Sequence, residues 1–230
     1  RRGSPEISTT QYKFGSSLYF NGSSTLETSD FTLHNRSFSI ALWVYVISSG
    51  TRIIEQSKAA TNNQQLHIAL LSDRNYRFGF WNNDLDSGTD TFNFNEWHHM
   101  VFQVKSNGNR EIYYNGSLVA SDSNTSLLNV DDNPIIIGGI SSQFNGYIDD
   151  LRFYNRELTT SEIDDIYTYK GFSLTNIPTN INDIQSLLLY NRTLTESRKD
   201  RAQGLAIELY NRYNDPSLNV ILASTKIISE

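Results

Sequence analysis

The residues of this chain best equipped for chemistry are Trp81, Asn82, Asn83 and Asp84, which follow one another directly. A flat aromatic ring can stack on the C–H face of a sugar, and neighbouring amides and carboxylates suit its hydroxyls. Tyr76 and Phe92 flank the same segment, so these six residues make the candidate ligand set. Trp81 could equally pack beneath its own loop. The segment runs on through Asp86 to Asp90, and carboxylates at alternating positions are one way to hold a hard cation such as calcium. It lacks the distal bidentate Glu of a full calcium loop, and a solvated hairpin rich in turn formers explains the same string.

Other constellations fail on geometry. His98 and His99 are adjacent on a predicted strand and point to opposite faces, so they cannot share a metal. His34 and His67 have no visible partners, and no Gly-x-Ser-x-Gly elbow or phosphate loop is present. The chain has no Cys, which excludes disulfides, zinc thiolates and thiol nucleophiles. Binding is therefore expected here, not catalysis.

Positioning such residues needs a framework, and the composition limits which. Of 230 residues, 12% are aromatic and only 19% charged, which excludes disorder and disfavours a long-helix protein. No apolar run approaches the roughly 20 residues that span a bilayer, so membrane insertion is not expected. The formal net charge of −6 argues against nucleic acid, whose phosphates need a basic field. Lack of Cys fits a reducing compartment, or a secreted domain whose core needs no staples. The opening RRGSPEIST has neither Met nor an apolar stretch, so a piece of a longer chain is expected, with any targeting signal outside it.

Between Leu18 and Phe153, short alternating apolar runs are separated by Asn, Gly, Ser and Asp clusters, the pattern of an all-β sandwich or barrel. In FSIALWVYV, Phe38, Ile40, Leu42, Val44 and Val46 share one face, while Ser39, Ala41, Trp43 and Tyr45 share the other. Further strands are predicted over residues 51–56, 66–71, 76–81, 98–105, 111–114, 117–121, 135–138 and 146–154. Asn107-Gly108 and Asn115-Gly116 predict type I′ hairpin turns, and Pro134 opens a strand.

After Asn155 the period changes. Residues 157–170 read as a helix, with Thr159 or Thr160 as N-cap and Glu162 placed to close a capping box. Residues 177–182 read as a linker and 218–228 as an edge strand. Between them, residues 195–213 read as a longer amphipathic helix, which folds back on the sandwich or docks on a neighbour. DDLRFYNRELTTSE, from Asp149, is echoed by QSLLLYNRTLTESR, from Gln185, so a strand-to-helix unit has been repeated in part.

Four segments in order carry a resemblance: SLYFNGSSTLE, FSIALWVYV, FNEWHHMVFQV with EIYYNGSLV, and IIIGG with FNGYIDDLRFYNRELTTSEI. Together they resemble the laminin-G-like, concanavalin A-like jelly rolls of the lectin/glucanase superfamily. The resemblance implies two antiparallel sheets bent around one core, with a concave face and loops at its rim. It places Trp43 and Trp97 at core positions and lets Tyr45 and Tyr114 line the concave face. In many relatives the closing-strand Asp holds a structural calcium with carbonyls from an early loop; these positions match Asp149 and Asn21-Gly22, and Asp84, Asp86 and Asp90 form a second candidate. Glucanases of the superfamily carry Glu-x-Asp-x-x-Glu on a strand. The nearest string, from Glu162 to Tyr167, has Tyr167 in place of the second Glu and lies on the predicted helix. The echo from Gln185 resembles the tail ends of such domains in virion and tail proteins of viruses. Sequons at Asn21, Asn35, Asn115, Asn124 and Asn191 are weak signs of a secretory route.

The combined expectation is an all-β, antiparallel two-sheet jelly-roll sandwich over residues 1–172. A short helical appendage over 173–230 would partly repeat the closing unit. In function, a non-catalytic recognition module of a larger surface or virion protein is expected, binding glycan, glycoprotein or another host-surface ligand outside the cell or on a virion. The rival is a structural module contacting other chains or domains of a viral capsid or tail assembly; a polysaccharide hydrolase is the third reading.

Overall fold

The alternating pattern resolves into thirteen strands and one helix among residues 3–28, 33–89, 91–123, 126–131 and 133–169, which the computed structural model describes. In chain order the first strands are β1 (Glu6–Ser8), β2 (Ser17–Asn21), β3 (Leu26–Thr28), β4 (Phe38–Val46), β5 (Thr51–Ser57) and β6 (Gln65–Leu70). Then come β7 (Tyr76–Gly79), β8 (Asp84–Asp86), β9 (Trp97–Val104), β10 (Arg110–Tyr114) and β11 (Ser117–Ser121). The last are β12 (Ile135–Ile137), β13 (Asn145–Tyr154) and the helix α1 (Thr160–Thr168). Arg1–Tyr169 forms one compact unit and Lys170–Glu230 another. The second unit, and with it the expected linker, second helix, edge strand and echo, lies outside the described residues, as do Asp90 and Asn124.

The strands form two antiparallel sheets, ordered β1-β2-β13-β4-β9-β10-β11 and β3-β12-β5-β6-β7-β8. This is the expected two-sheet sandwich. Phe38, Ile40, Leu42, Val44 and Val46 of β4 all face inward and meet Ile54, Leu66, Ile68 and Phe78 of the other sheet, all fully buried. Each such side chain contributes about 1.5–3 kcal/mol. That burial holds the sheets together.

The opposite face of β4 is closed by α1. Ile163 and Ile166 pack on Ala41, Val101 and Tyr113, and Tyr167 stacks on Trp43 at 5.9 Å. Trp43 is thus structural, as expected. His99 lies beneath the same ring; burial, helped by the charges of Arg152 and Lys13, pushes its imidazole down to about 3. It stays neutral there.

Turn chemistry matches the sequence in one place and not in another. Asn115 and Gly116 have φ of 47° and 82°, as a type I′ turn requires. At Asn107-Gly108 only Gly108 is left-handed, with its N–H donating to the Lys105 carbonyl at 2.9 Å. That is a type I turn followed by a glycine bulge, because the loop is longer than two residues.

Thr159 caps α1: its hydroxyl accepts from Glu162 N, while the Glu162 carboxylate accepts from Thr159 N at 2.9 Å. Arg156 grips that carboxylate with two bonds of 3.0 and 2.8 Å. Chiefly through Arg156, and against the opposing effect of burial, the Glu162 carboxyl is pulled down to about 2. A folded-state value below the unfolded one gives stability present above about 4.5 and lost as pH falls toward about 2. Near-UV circular dichroism of the Trp43–Tyr167 stack should therefore weaken across that window. Glu162→Gln should be less stable at neutral pH and lose this part of the acid response; an unchanged acid profile would show that the pair does not hold α1.

Candidate functional site

Phe80 donates its N–H to the Asn83 carbonyl at 2.9 Å, closing a two-residue turn between β7 and β8. Its central residues, Trp81 and Asn82, have φ of 60° and 52°. This is type I′ geometry, which usually selects Asn-Gly; a bulky side chain there is strained by about 1–2 kcal/mol. Trp81 therefore stands at the tip of the hairpin, half-buried, with Asn82 exposed beside it. The sequence pattern instead predicts a strand that runs to Trp81.

The turn is tied down from below. The Asn83 carbonyl accepts from Arg110 Nη1 at 2.7 Å, its side-chain oxygen accepts from Arg110 Nη2 at 3.2 Å, and its amide donates to Asn63 Oδ1 at 2.6 Å. Asn63, itself at φ 62°, donates its N–H to the Phe80 carbonyl at 2.6 Å. Asn83 thus positions the tip.

Beyond the turn, Asp84-Leu85-Asp86 is a strand and not the expected loop, with Gly79 opposite Asp84 and Arg77 opposite Asp86. The reason is alternation: Leu85 packs against the core while both carboxylates turn outward. Asp84 meets His67 Nε2 at 3.3 Å and Arg77 at 3.0 Å; Asp86 takes Arg77 in two bonds of 2.7 and 2.8 Å. Burial pushes the Asp84 carboxyl up, but His67, Arg77 and Arg110 outweigh it and hold it below the ordinary carboxylate range. Glu55, His67, Gly79 and Asp84 stand opposite one another across β5, β6, β7 and β8. A Cβ at Gly79 would fall 2.1 Å from His67 Nε2 and 2.6 Å from Asp84 Oδ1, so any larger residue there would push the His67–Asp84 pair aside. Along the same outer face lies a polar cavity of about 320 Å³, lined by residues that include Arg52, His67, Ala69, Asp73, Arg77 and Ser142.

Two of the six expected ligand residues are misplaced. Tyr76 and Phe92 are fully buried; Tyr76 shares the inward parity of Phe78 on β7, and its ring stacks on Tyr114 at 4.9 Å. Tyr114 is likewise inward and Tyr45 outward, so they line no common surface. Conversely, His67, Arg77 and Gly79 belong to this polar face although no motif in the sequence marks them. Alternation alone places His67 on the outer face with Gln65 and Ala69; the partner comes from two strands away.

The calcium residues are also separated. Asn21 pairs with Asn145 and Gly22 donates to the Phe144 carbonyl, whereas Asp149 lies one residue past the Ile148–Leu18 pair. Asp149 is four residues along β13 from Asn145, the partner of Asn21, which at about 3.3 Å per residue separates them by roughly 13 Å. Its carboxylate instead accepts three backbone N–H bonds, from Lys13 at 2.8 Å and from Phe14 and Asp150 at 2.7 Å. Burial pushes the Asp149 carboxyl up, and those bonds oppose it. In the second candidate, Asp84 and Asp86 already face Arg77, and Asp90 lies outside the described residues. Among the described residues, no group of three or more His, Asp or Glu could hold a metal ion.

The profile of the concanavalin A-like lectin/glucanase superfamily, laminin G type, matches residues 20–164. That is more than half of the chain, and the chain belongs to this superfamily. No curated protein matches it in sequence. Among solved structures, it is similar to domain 4 of AbnA, an extracellular GH43 arabinanase from Geobacillus stearothermophilus, in complex with arabinotriose. The TM-score is 0.59 at 24% identity, covering 72% of this chain and 82% of that one. The binding domain of Paraclostridial Mosquitocidal Protein 1 gives 0.55 at 18% identity, covering 72% of this chain and 46% of that one. Botulinum neurotoxin type C, whose cell entry depends on interaction with two ganglioside molecules, gives 0.54 at 18%, covering 72% and 44%. This chain thus spans less than half of either toxin chain. At these identities the likeness shows the fold.

Two measurements probe the site's construction. Trp81→Asn should raise stability by about 1 kcal/mol in urea unfolding, because Asn tolerates the left-handed turn; a loss would mean that Trp81 packing outweighs its strain. Asp149→Ala should cost about 2 kcal/mol by orphaning three backbone donors, and unchanged stability would show that residues 13–14 are not pinned there.

Proposed function

We propose that this domain is a non-catalytic recognition module of a larger extracellular or surface protein, cellular or viral, and that it binds glycan. The site is the Trp81-Asn82 tip with the adjoining polar face of β6, β7 and β8. The observation that carries this reading is a tryptophan held in a strained conformation at a hairpin tip, where Asn or Gly would be easier. Strain of this kind persists where the side chain itself is needed. Toward the other end of β7, the polar cavity between Arg52, His67, Asp73 and Arg77 offers planar donors and acceptors of the kind that hydroxyl recognition uses.

Glycoside hydrolysis fits the same residues poorly. It needs an acid whose proton is held near neutral pH, with a second carboxylate across the bond. Asp84 is instead held below its ordinary range, and Arg77 bonds both it and Asp86. Glu162 is spent on capping α1 and on Arg156. The similar folds support binding as well: one was captured with arabinotriose, and another belongs to a toxin whose entry uses gangliosides.

The test is calorimetric titration with arabinan, xylan, β-glucan and ganglioside oligosaccharides. At least one should bind, and Trp81→Ala should weaken it by tenfold or more while the fold stays intact. Flat isotherms across the panel, or unchanged affinity in Trp81→Ala, would overturn the proposal in favour of an assembly role.

A further inference from the structure

The two sheets do not close along the edge opposite the Trp81 hairpin. There β1 and β2 end the seven-stranded sheet, and β3 ends the six-stranded one. β2 pairs with β13 only from Asn145 to Ile148, because β13 then bulges between Asp149 and Arg152, with Asp150 at φ 48°. β3 has three residues, paired with β12 from Leu26 opposite Ile137 to Thr28 opposite Ile135. Beyond these short ladders the inner faces part, and a cavity of about 560 Å³ opens between them. Its walls include Leu18 and Phe20 of β2, Ile137 of β12, and Ile148, Leu151 and Phe153 of β13.

Partners across a ladder share a face. Ile7, opposite Leu18, therefore points toward the cavity, and so does Leu26, opposite the buried Ile137. Yet Ile7 is 75% exposed and Leu26 41%, whereas inward side chains elsewhere, such as Phe38 and Ile68, are fully buried. Sites for small molecules have volumes of about 300–1,000 Å³ and mostly apolar walls, and this cavity has both. Among the residues that line it, the charged ones are Asp149 and Asp150. Both are already engaged, Asp149 by its three backbone donors and Asp150 by Arg152 Nε at 2.8 Å. They require no cation from a ligand, and they repel an anion.

We propose that this cavity binds an uncharged lipid, with its hydrocarbon between the sheets and its hydroxyl at the rim. A cavity of about 150 Å³ lined by Leu, Ile and Phe stays dry and holds one benzene. This volume is about four times larger and suits roughly twenty carbon atoms. Ser16, which is exposed, and Thr28, which is half-buried, supply hydroxyl partners at the rim. A free fatty acid is disfavoured, since its carboxylate would meet the field of Asp149 and Asp150 with no cation among the lining residues. The cavity lies across the sandwich from β7 and β8, so it stands or falls separately from the Trp81 site.

The experiment titrates the full chain with N-phenyl-1-naphthylamine, an apolar dye that fluoresces once it leaves water. Fluorescence should rise to saturation at one dye per chain, and 1-dodecanol should displace the dye about tenfold more effectively than dodecanoate. Leu26→Trp fills the mouth from an exposed position and should abolish dye binding with circular dichroism unchanged. Ile7→Asp, at the more exposed position, gives a second reading should Leu26→Trp misfold, and it should weaken dye binding by about fivefold. The chain carrying Trp81→Ala should bind the dye equally well, which separates this site from the hairpin. No saturable signal, dye binding retained in a folded Leu26→Trp or in Ile7→Asp, or equal displacement by dodecanoate would overturn the proposal.

Discussion

Arg110 is the most consequential buried group in the molecule. It is 1% exposed, yet its guanidinium joins the two sheets at one end of the sandwich. From β10 it pairs with Asp122, donates to the Phe78 carbonyl at 3.0 Å and to Asn83, and lies 4.9 Å from the centre of the Phe80 ring. A buried charge is tolerated only when its donors are used, and breaking such a pair costs about 3–5 kcal/mol. Here the same bonds that neutralise the charge fix the Phe80–Asn83 turn. A strained Trp81 needs such an anchor, because nothing in its own backbone preference would keep it there.

Alternation then assigns different roles to the two outer faces. On the seven-stranded sheet, Ala41, Val101 and Tyr113 are apolar and receive α1. On the six-stranded sheet the corresponding positions are His67, Arg77, Asp84 and Asp86, which bind one another and leave a polar surface uncovered by the described helix. Charges matched in this way make poor acids and bases but keep their geometry. That favours recognition of a ligand over bond cleavage.

Much of the framework was legible because it depends on short-range pattern. The β4 alternation, the Asn115-Gly116 turn and the Thr159–Glu162 capping box each follow from residues a few positions apart. The errors come where a distant partner decides. Trp81-Asn82 carries no glycine to announce a type I′ turn; Arg110, far along the chain, holds it. For Asp149, nothing in the local pattern points to residues 13 and 14, whose backbone N–H groups its carboxylate accepts. Tyr76 and Phe92 flank the right segment, but their parity points them into the core. His67 gains meaning only from Gly79 and Asp84, two strands that the sequence alone cannot bring beside it.

The chain contains three tryptophans, each in a different setting: Trp43 under α1, Trp97 against Tyr45 and Trp81 at the hairpin tip. Their three indole N–H signals can be followed separately by nuclear magnetic resonance during titration with neutral oligosaccharides. Recognition at the hairpin predicts that the Trp81 signal moves saturably while that of Trp43 stays in place. A Trp81 signal that remains fixed while another surface of the domain saturates with sugar, or no response to any sugar, would contradict it.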